Sequence, residues 1–262
     1  MYKVIGLMLT RDDVTVLEDW MKKHREWFDD LFVLDGSINE RQESKQIIER
    51  YNSKYFHDSE FKFKQKTDHT LRGVLFEKIK TIIQPGYDYW IVIAHPDEFY
   101  IQPLNIVINK AYTVKTNLIV YNVLHNFPHV SEKEEYLRTR DYKTFKHFVH
   151  NYKDSKKESR IFKYNPNLYY GKQHSLVTPF NLDKKNSDKF HPAYFHYKLY
   201  NLDLFSKKGE TMNSVWSSVK THFPENHKFE KIDDFFMETP AGSYKENSLY
   251  HMDKPLPDVF KC

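Results

Sequence analysis

Residues 95–99, His-Pro-Asp-Glu-Phe, contain an imidazole and two carboxylates in close succession. They directly follow residues 89–94, an apolar run of the kind that forms buried strands. In open α/β sheets, ligands bind outside the carboxyl ends of the strands. Two carboxylates and an imidazole there indicate a divalent cation, and a cation there indicates a phosphate-bearing substrate. The alternative is a plain turn, because Pro and Asp are common turn residues.

The segments around this motif alternate between strand and helix patterns. Residues 4–9 are almost continuously apolar, as in a strand buried on both faces. Apolar residues then recur at helical period over residues 17–28, and residues 31–34 are again apolar. This order predicts a right-handed βαβ unit and, with the alternation that follows, an α/β fold with a mostly parallel central sheet flanked by helices. Further predicted elements are a helix at 44–51, a strand at 61–65, a helix at 75–83, a helix at 105–115 and a strand at 118–124.

The second half of the chain has a different pattern. Residues 131–159 are highly charged with weak helical periodicity, whereas residues 160–164 and 190–200 are aromatic and strand-like. No repeat or low-complexity linker separates the two halves, so we expect them to share one core. The expected organisation is a single domain with a first half at 1–125, a mixed second half at 126–262, and a C-terminal tail at 244–262.

Composition excludes several classes of protein. The 262 residues carry a formal charge of +4 from 40 basic and 36 acidic residues that are interspersed, which disfavours a nucleic-acid or polyanion binder. With 7 glycines, the chain has neither of the glycine-rich nucleotide-binding patterns. The one cysteine, Cys262, rules out an internal disulfide or a Cys-based zinc site. No apolar stretch is long enough to span a bilayer, and we expect a soluble, cytoplasmic protein.

Three motifs in order resemble a known family. They are Leu-Glu-Asp-Trp at 17–20, Phe-Val-Leu-Asp-Gly-Ser at 32–37, and the strand with His-Pro-Asp-Glu-Phe at 90–99. Together they look like the family 2-like glycosyltransferases of the GT-A fold. In that family a first helix carries Leu-Glu-x-Trp, the second strand ends in Asp-x-Ser, and the fourth ends in Asp-x-Asp-Glu-Phe. The resemblance covers roughly the first 125 residues, and it implies a nucleotide-sugar-binding half at 1–125 and an acceptor-binding half at 126–262.

The resemblance implies a metal-dependent, hexosyltransferase-like enzyme that moves a sugar from a nucleotide-sugar donor, with a UDP-sugar favoured, to a hydroxyl of a glycan or other acceptor with inversion. Asp35 would contact the uracil or ribose of the donor. Asp97 would bind Mn²⁺ or Mg²⁺, which holds the donor diphosphate. Thr10 and Asp12 would line the nucleotide pocket. Arg72 lies where the family often has a basic donor contact, although it could equally be an ordinary surface arginine.

His95 departs from the family pattern, because the first Asp of the acidic motif stands at this position in the family. Imidazole is a good ligand for Mn²⁺ and a poor one for Mg²⁺, so Mn²⁺ is the favoured metal if His95 is a ligand. His95 could instead hydrogen-bond the donor sugar or ribose. His196, in a Phe-His-Tyr sequence, looks like the downstream histidine that completes many GT-A metal sites. His191 competes for that role, and either could be a core histidine.

An inverting transfer needs a general base that removes the proton of the acceptor hydroxyl. Glu98, His174 and Asp183 are the candidates, and none lies in a diagnostic pattern. Two other functions remain open. A metal-dependent nucleotidyltransferase would need more carboxylates and a basic phosphate-binding loop. A non-catalytic nucleotide-sugar- or glycan-binding module is the alternative that His95 favours.

Overall fold

The computed structural model describes residues 1–10, 14–36, 42–57, 68–150, 157–170, 178–197, 232–238 and 248–256. The chain divides into two compact units. Unit 1 comprises Met1–Tyr121 and Lys157–Pro192, and unit 2 comprises Asn122–Lys156 and Ala193–Lys261. These units are not contiguous halves of the chain, because the second segment of unit 1 follows the first segment of unit 2. A division of binding roles between residues 1–125 and 126–262 stays a prediction.

Strands and helices alternate through the first part of the chain. In chain order the elements are β1 (Tyr2–Thr10), α1 (Val14–His24), β2 (Asp30–Asp35), α2 (Gln42–Arg50), β3 (Lys54–His57), α3 (Asp68–Lys80), β4 (Asp88–Ala94), β5 (Glu98–Tyr100), α4 (Leu104–Val114), β6 (Leu118–Asn126), α5 (Lys133–Thr139), β7 (His147–His150), β8 (Lys157–Lys163), β9 (Ala193–His196) and β10 (Ser248–His251). Short 3-10 helices lie at Arg25–Trp27, Val130–Glu132, Tyr142–Thr144 and Ile232–Phe235. None of the helices described is both long enough and apolar enough to cross a membrane.

The sheet of unit 1 is mostly parallel, which confirms the predicted fold class. Its strands lie in the order β8-β4-β1-β2-β3. β1 pairs in parallel with β2 on one side and with β4 on the other, and β2 pairs in parallel with β3. β8 is antiparallel to β4. The predicted βαβ unit is β1, α1 and β2.

Helices bury both faces of the strands in unit 1. Successive side chains of a strand face opposite sides, so a strand covered on both sides is continuously apolar. α3 contributes Leu71, Leu75, Phe76 and Ile79 to a core with alternate strand residues such as Leu7, Leu9, Ile91 and Ile93. α1 buries its own stripe, which consists of Val16, Leu17, Trp20, Met21 and His24. The apolar runs seen in the sequence are therefore the strands of a two-faced core.

The strand that follows α2 was not predicted from the sequence. The alternating residues 61–65, predicted as a strand, lie outside the described residues, so that strand stays a prediction. β3 occupies Lys54–His57, directly after α2. Its four residues are only partly buried or exposed, so they lack the apolar alternation that marks a strand in a sequence.

Unit 2 has a mixed sheet with an aromatic interior. β6, which begins in unit 1, pairs in parallel with β9 and antiparallel with β7, and β7 pairs antiparallel with β10. The rings of Phe148 and Phe195 lie 4.2 Å apart between centroids. Tyr136 and Phe145 stack at 4.8 Å. The many aromatic residues of this region are thus largely core.

His24, the last residue of α1, is a fully buried histidine among aromatic rings. Its ring centroid lies 5.2 Å from that of Trp20, 4.5 Å from that of Trp27 and 5.6 Å from that of Phe99. Among the residues described, neither ring nitrogen has a hydrogen-bond partner. Burial, with the charge of Lys23 adding to it, lowers the pKa of His24 from 6.5 to about 3. The ring is therefore neutral in the folded protein at neutral pH.

We predict that His24→Leu stabilises the protein. A buried polar group without a partner costs about 1–3 kcal/mol, and leucine removes that cost at similar volume. The unfolded chain takes up a proton on His24 below pH 6.5, and the folded protein does so only near pH 3. Stability is therefore lost as the pH falls below 6.5, by about 1.4 kcal/mol per pH unit from this group. Urea unfolding between pH 7.5 and 5, as illustrative endpoints, measures both effects. If the wild type and the variant have the same free energy of unfolding and the same change in it with pH, the prediction is contradicted.

Candidate functional site

The strand order of unit 1 creates a topological switch point between β1 and β4. From β1 the chain adds β2 and then β3 on one side, and it returns to add β4 on the other side. Ligands of open α/β sheets bind at the carboxyl ends of the two strands where the order reverses. In the parallel register, Thr10 of β1 lies opposite Asp35 of β2, and Met8 lies opposite Ala94, after which the acidic motif begins. The predicted donor-binding residues of three strands thus share one sheet edge.

Asp35 is a fully buried carboxylate at this edge. The Tyr55 hydroxyl donates to its Oδ2 at 3.4 Å. Beside it, the backbone N–H of Gly36 donates to the carbonyl of Thr10 at 2.9 Å, which ties the ends of β1 and β2 together. Burial of a polar group is costly unless it is bonded, so the carboxylate of Asp35 needs hydrogen-bond donors such as Tyr55.

The acidic motif is a tight turn between β4 and β5. The N–H of Glu98 donates to the carbonyl of His95 at 3.1 Å. The indole N–H of Trp20 donates to the carbonyl of Glu98 at 2.8 Å, and the Tyr100 hydroxyl donates to the carbonyl of Ile93 at 3.0 Å. The residues of the acidic motif therefore form both the turn and the candidate site. Trp20 of the Leu-Glu-Asp-Trp motif serves to anchor α1 to this turn.

Arg160 of β8 is a buried cation that the sequence analysis missed. One guanidinium nitrogen, Nη2, donates to the carboxylates of both Glu98 and Glu158. Glu98 is 2% exposed and Arg160 is 4% exposed. Burial raises the pKa of Glu98, and the charges of Glu158 and Asp97 add to this, while the guanidinium groups of Arg160 and Arg72 oppose it. The pKa of Glu98 is raised because the effect of burial outweighs that of the two guanidinium groups.

This environment argues against Glu98 as the general base. A base must reach the proton of an acceptor hydroxyl, and the carboxyl of Glu98 is buried and bonded to Arg160. In the sequence, Arg160 begins the aromatic, strand-like segment 160–164. An arginine in such a strand is a signal of a buried acidic partner, because arginine is almost never fully buried unless it is paired.

His95 is paired with Arg72, a buried arginine of α3. The Arg72 Nη2 and the His95 Nε2 lie 2.8 Å apart. A guanidinium has only donors, so the imidazole nitrogen accepts and the ring proton of a neutral His95 lies on Nδ1. The Nε2 lone pair is thus committed to Arg72, which argues against a metal-ligand role for His95 and favours a hydrogen-bonding role. Arg72 is not an ordinary surface arginine, because it is only 4% exposed.

The two acids of the motif lie close enough to share a cation. A carboxylate oxygen of Asp97 and one of Glu98 are within 4.8 Å of each other. Asp97 is partly exposed, so its carboxylate can exchange water for a ligand. Hard oxygen donors of this kind suit Mg²⁺ and Mn²⁺. The local chemistry fits the predicted metal, with Asp97 as the more accessible ligand.

Asp183 lies at the wrong edge of the sheet for the predicted base. Its carboxylate accepts from the Asn117 amide at 3.1 Å. The carbonyl of Asn117 accepts from the N–H of Lys163, which pairs with Trp90 near the amino end of β4. The acidic motif follows the carboxyl end of that strand. Asp183 is an exposed surface residue, and this position does not support a catalytic role.

The other predicted residues are distributed as follows. Asp12 and His174 lie outside the described residues, so their roles stay predictions. His196 is in β9 of unit 2, opposite His125 in the parallel register, and the two ring centroids are 5.2 Å apart. Its metal role stays a prediction. The Nδ1 of His191 lies 3.1 Å from the carbonyl of Val120, to which it donates.

No protein-family model matches the chain, and a search of curated proteins finds no match. Among solved structures, the chain is similar to S. aureus TarS, at 15% identity and a TM-score of 0.31, over 49% of this chain and 22% of that one. The matched part is thus under a quarter of the length of TarS. A likeness of this size carries no conclusion about fold or function.

We predict that Arg160→Met destabilises the protein by about 3–5 kcal/mol, because it leaves a buried carboxylate without its partner. Glu98→Gln in the same chain should recover part of that loss, since the amide carries no charge. Urea unfolding of the two single variants and the double variant gives the coupling energy. Effects that simply add in the double variant would mean that Glu98 and Arg160 do not depend on each other.

Proposed function

We propose that the protein is a metal-dependent glycosyltransferase that moves a sugar from a nucleotide-sugar donor to an acceptor hydroxyl, with inversion. One observation carries the proposal. Buried or partly buried polar groups of both charges, Asp35, Asp97 and Arg72, come from three different elements to the carboxyl edge of the β1–β4 switch point. The motif resemblance to GT-A enzymes supports the same reaction class.

The acidic side of this edge suits the nucleoside of the donor. Asp35 stands at the end of β2, and its carboxylate accepts hydrogen bonds, so a ribose hydroxyl or a base N–H is the partner that we propose for it. Thr10 lies directly opposite it in the register. A UDP-sugar is the donor that the resemblance favours.

The basic side suits the diphosphate. Arg72 is a buried guanidinium at the same edge, and charge-assisted bonds from arginine to phosphate are strong. Its contact with His95 orients the guanidinium and leaves the neutral imidazole with its Nδ1–H as a donor. His95 thus acts here as a hydrogen-bonding residue in the position where the family has an acid.

Asp97, with Glu98 beside it, would hold Mn²⁺ or Mg²⁺. Such a cation, when bound, neutralises charge on the departing nucleoside diphosphate. If His95 is not a ligand, the reason given by the sequence for favouring Mn²⁺ weakens, and both ions stay candidates. The general base stays unassigned among the described residues.

A second candidate function is a nucleotide-sugar- or glycan-binding module without turnover. The specific observation in its favour is the state of the acidic motif. The lone pair of the His95 Nε2 is used by Arg72, and Glu98 is paired with Arg160. Asp97 is then left as the main acid for a cation, which can suffice for binding and be too little for catalysis.

We predict that one of UDP, GDP or CDP raises the melting temperature, and that the rise is larger with Mn²⁺ or Mg²⁺. A ligand that binds only the folded state stabilises it by about 2.7 kcal/mol at a concentration of a hundred times Kd. Thermal melts with each nucleotide, with and without metal, test this. If no nucleotide produces a shift with either metal, the glycosyltransferase and the nucleotide-sugar-binding module both fail, and only a glycan-binding module is left.

We predict that Asp97→Ala abolishes the metal-dependent part of the nucleotide shift and leaves the fold intact, because Asp97 is partly exposed and is not a core residue. Asp183→Ala is the matched control, since it removes an exposed carboxylate at the opposite end of β4. Melts and isothermal titration of both variants give the comparison. An Asp97→Ala protein that binds nucleotide and metal as the wild type does would remove the metal role.

The two candidate functions differ in turnover. Hydrolysis or transfer from a panel of nucleotide sugars above background supports the glycosyltransferase. Binding of nucleotide with no turnover of any member of the panel, under the same metal conditions, supports the binding module.

A further inference from the structure

Unit 2 contains a polar cleft with a volume of about 380 Å³. Its walls carry hydroxyl, ammonium and imidazole groups from Thr139, Thr144, Lys143, Lys146, His147 and His251. Nothing in the sequence pattern singled out these residues. All of its lining residues belong to unit 2.

A buried carboxylate organises one wall of the cleft. Glu132 is 7% exposed. Its Oε1 accepts from the backbone N–H groups of Lys146 and His147 and lies 2.8 Å from the Nδ1 of His147. Its Oε2 accepts from the N–H of His129 at 3.0 Å. Four contacts hold this carboxylate in place, so it fixes the orientation of the His147 ring.

His147 therefore presents a hydrogen-bond acceptor. With the proton on Nδ1, facing Glu132, the lone pair of the neutral ring lies on Nε2. The ring also stacks on that of His129, with 4.3 Å between centroids. No described residue bonds to the Nε2 of His147, and the ring lines the cleft.

His251 presents a hydrogen-bond donor to the cleft. It lies across the β7–β10 pairing from His147, and the two ring centroids are 4.8 Å apart. The N–H of Asp253 donates to its Nδ1 at 3.2 Å, so the proton of the neutral ring lies on Nε2. The cleft thus offers one imidazole that accepts and one that donates.

We propose that this cleft binds a saccharide, with one hydroxyl bridging the two imidazoles. A hydroxyl donates one hydrogen bond and accepts others, so it can donate to the Nε2 of His147 and accept from the Nε2–H of His251. The side chains of Thr144 and Lys146 on the same walls can bond further hydroxyls. The hydroxyl follows from the imidazole pair, and the choice of a saccharide to carry it rests on the proposed function.

Two other ligand classes fit less well. A metal ion needs three converging ligands, and among the residues described, no group of three histidines, acids or cysteines meets in this cleft. An anion such as phosphate would face the carboxylates of Glu135 and Asp141, which line the same cleft as the lysines. A neutral polyhydroxyl ligand avoids both problems.

The test uses the full chain labelled with ¹⁵N, and NMR of the histidine ring nitrogens. In the free protein, the ring nitrogens of His147 and His251 should report the opposite tautomers that the contacts assign. Titration with glucose, galactose and N-acetylglucosamine should then move the Nε2 resonances of both rings. Inorganic phosphate and Zn²⁺ are titrated in parallel. Equal tautomers, a cleft that responds to phosphate or Zn²⁺ alone, or rings that respond to none of these probes would overturn the proposal.

Variants separate binding from folding. His147→Phe and His251→Phe keep a ring in place and remove the nitrogens, and each should weaken the saccharide affinity about five- to tenfold, as expected for one lost hydrogen bond. His57→Phe, in unit 1, is the matched control and should bind as the wild type does. Circular dichroism checks that each variant is folded, and if one is not, the wild-type titration and the other variant decide. Unchanged affinity in a folded His147→Phe protein also contradicts the proposal.

Binding of UDP, GDP and CDP to the same proteins is measured by thermal melts with Mn²⁺ or Mg²⁺, so that the two proposals can fail separately. Nucleotide binding without any saccharide response overturns the cleft proposal and leaves the proposed function standing. A saccharide response without nucleotide binding overturns the proposed function and leaves the cleft proposal standing.

Discussion

The parallel pairing of β1 with both β2 and β4 is the constraint on which the candidate site depends. Parallel strands end at the same edge of a sheet, so the residues that follow them meet there. Thr10, Asp35 and His95 come from separate parts of the chain and reach one edge for this reason. Had β4 run antiparallel, its seven residues would have carried the acidic motif about 20 Å away, at about 3.3 Å per residue.

Helices cover both faces of the sheet, so charged side chains at this edge are largely buried. Each of them needs a partner, because a buried charge is costly unless it is paired. The structure meets this requirement with two buried arginines. Arg160 bonds Glu98 from the antiparallel strand β8, and Arg72 bonds His95 from α3. Breaking a buried pair leaves an uncompensated charge, so these contacts matter to stability as well as to ligand binding. Stability and function are therefore coupled at this edge, and substitutions here need a folding control.

Unit 2 organises its polar groups by a different means. A single buried carboxylate, Glu132, accepts backbone N–H groups at the start of β7 and also sets the tautomer of His147. The same contacts thus hold the backbone and direct an imidazole lone pair. The proposed saccharide cleft arises from this double role, in a unit whose core is otherwise aromatic.

Local patterns determined much of this protein from the sequence alone. Continuous apolar runs predicted β1, β2 and β4, because a strand that is buried on both faces is apolar at every position. The order of the elements then predicted a parallel sheet with the acidic motif at its edge. Strand β3 was missed because it is short and half-exposed. The partners of the site residues were decided only by the tertiary structure. Arg160 is 62 positions from Glu98, and Arg72 is 23 positions from His95, and no periodicity links residues so far apart. Side-chain chemistry could nominate His95 as a metal ligand, but only the position of Arg72 showed that its lone pair is already used.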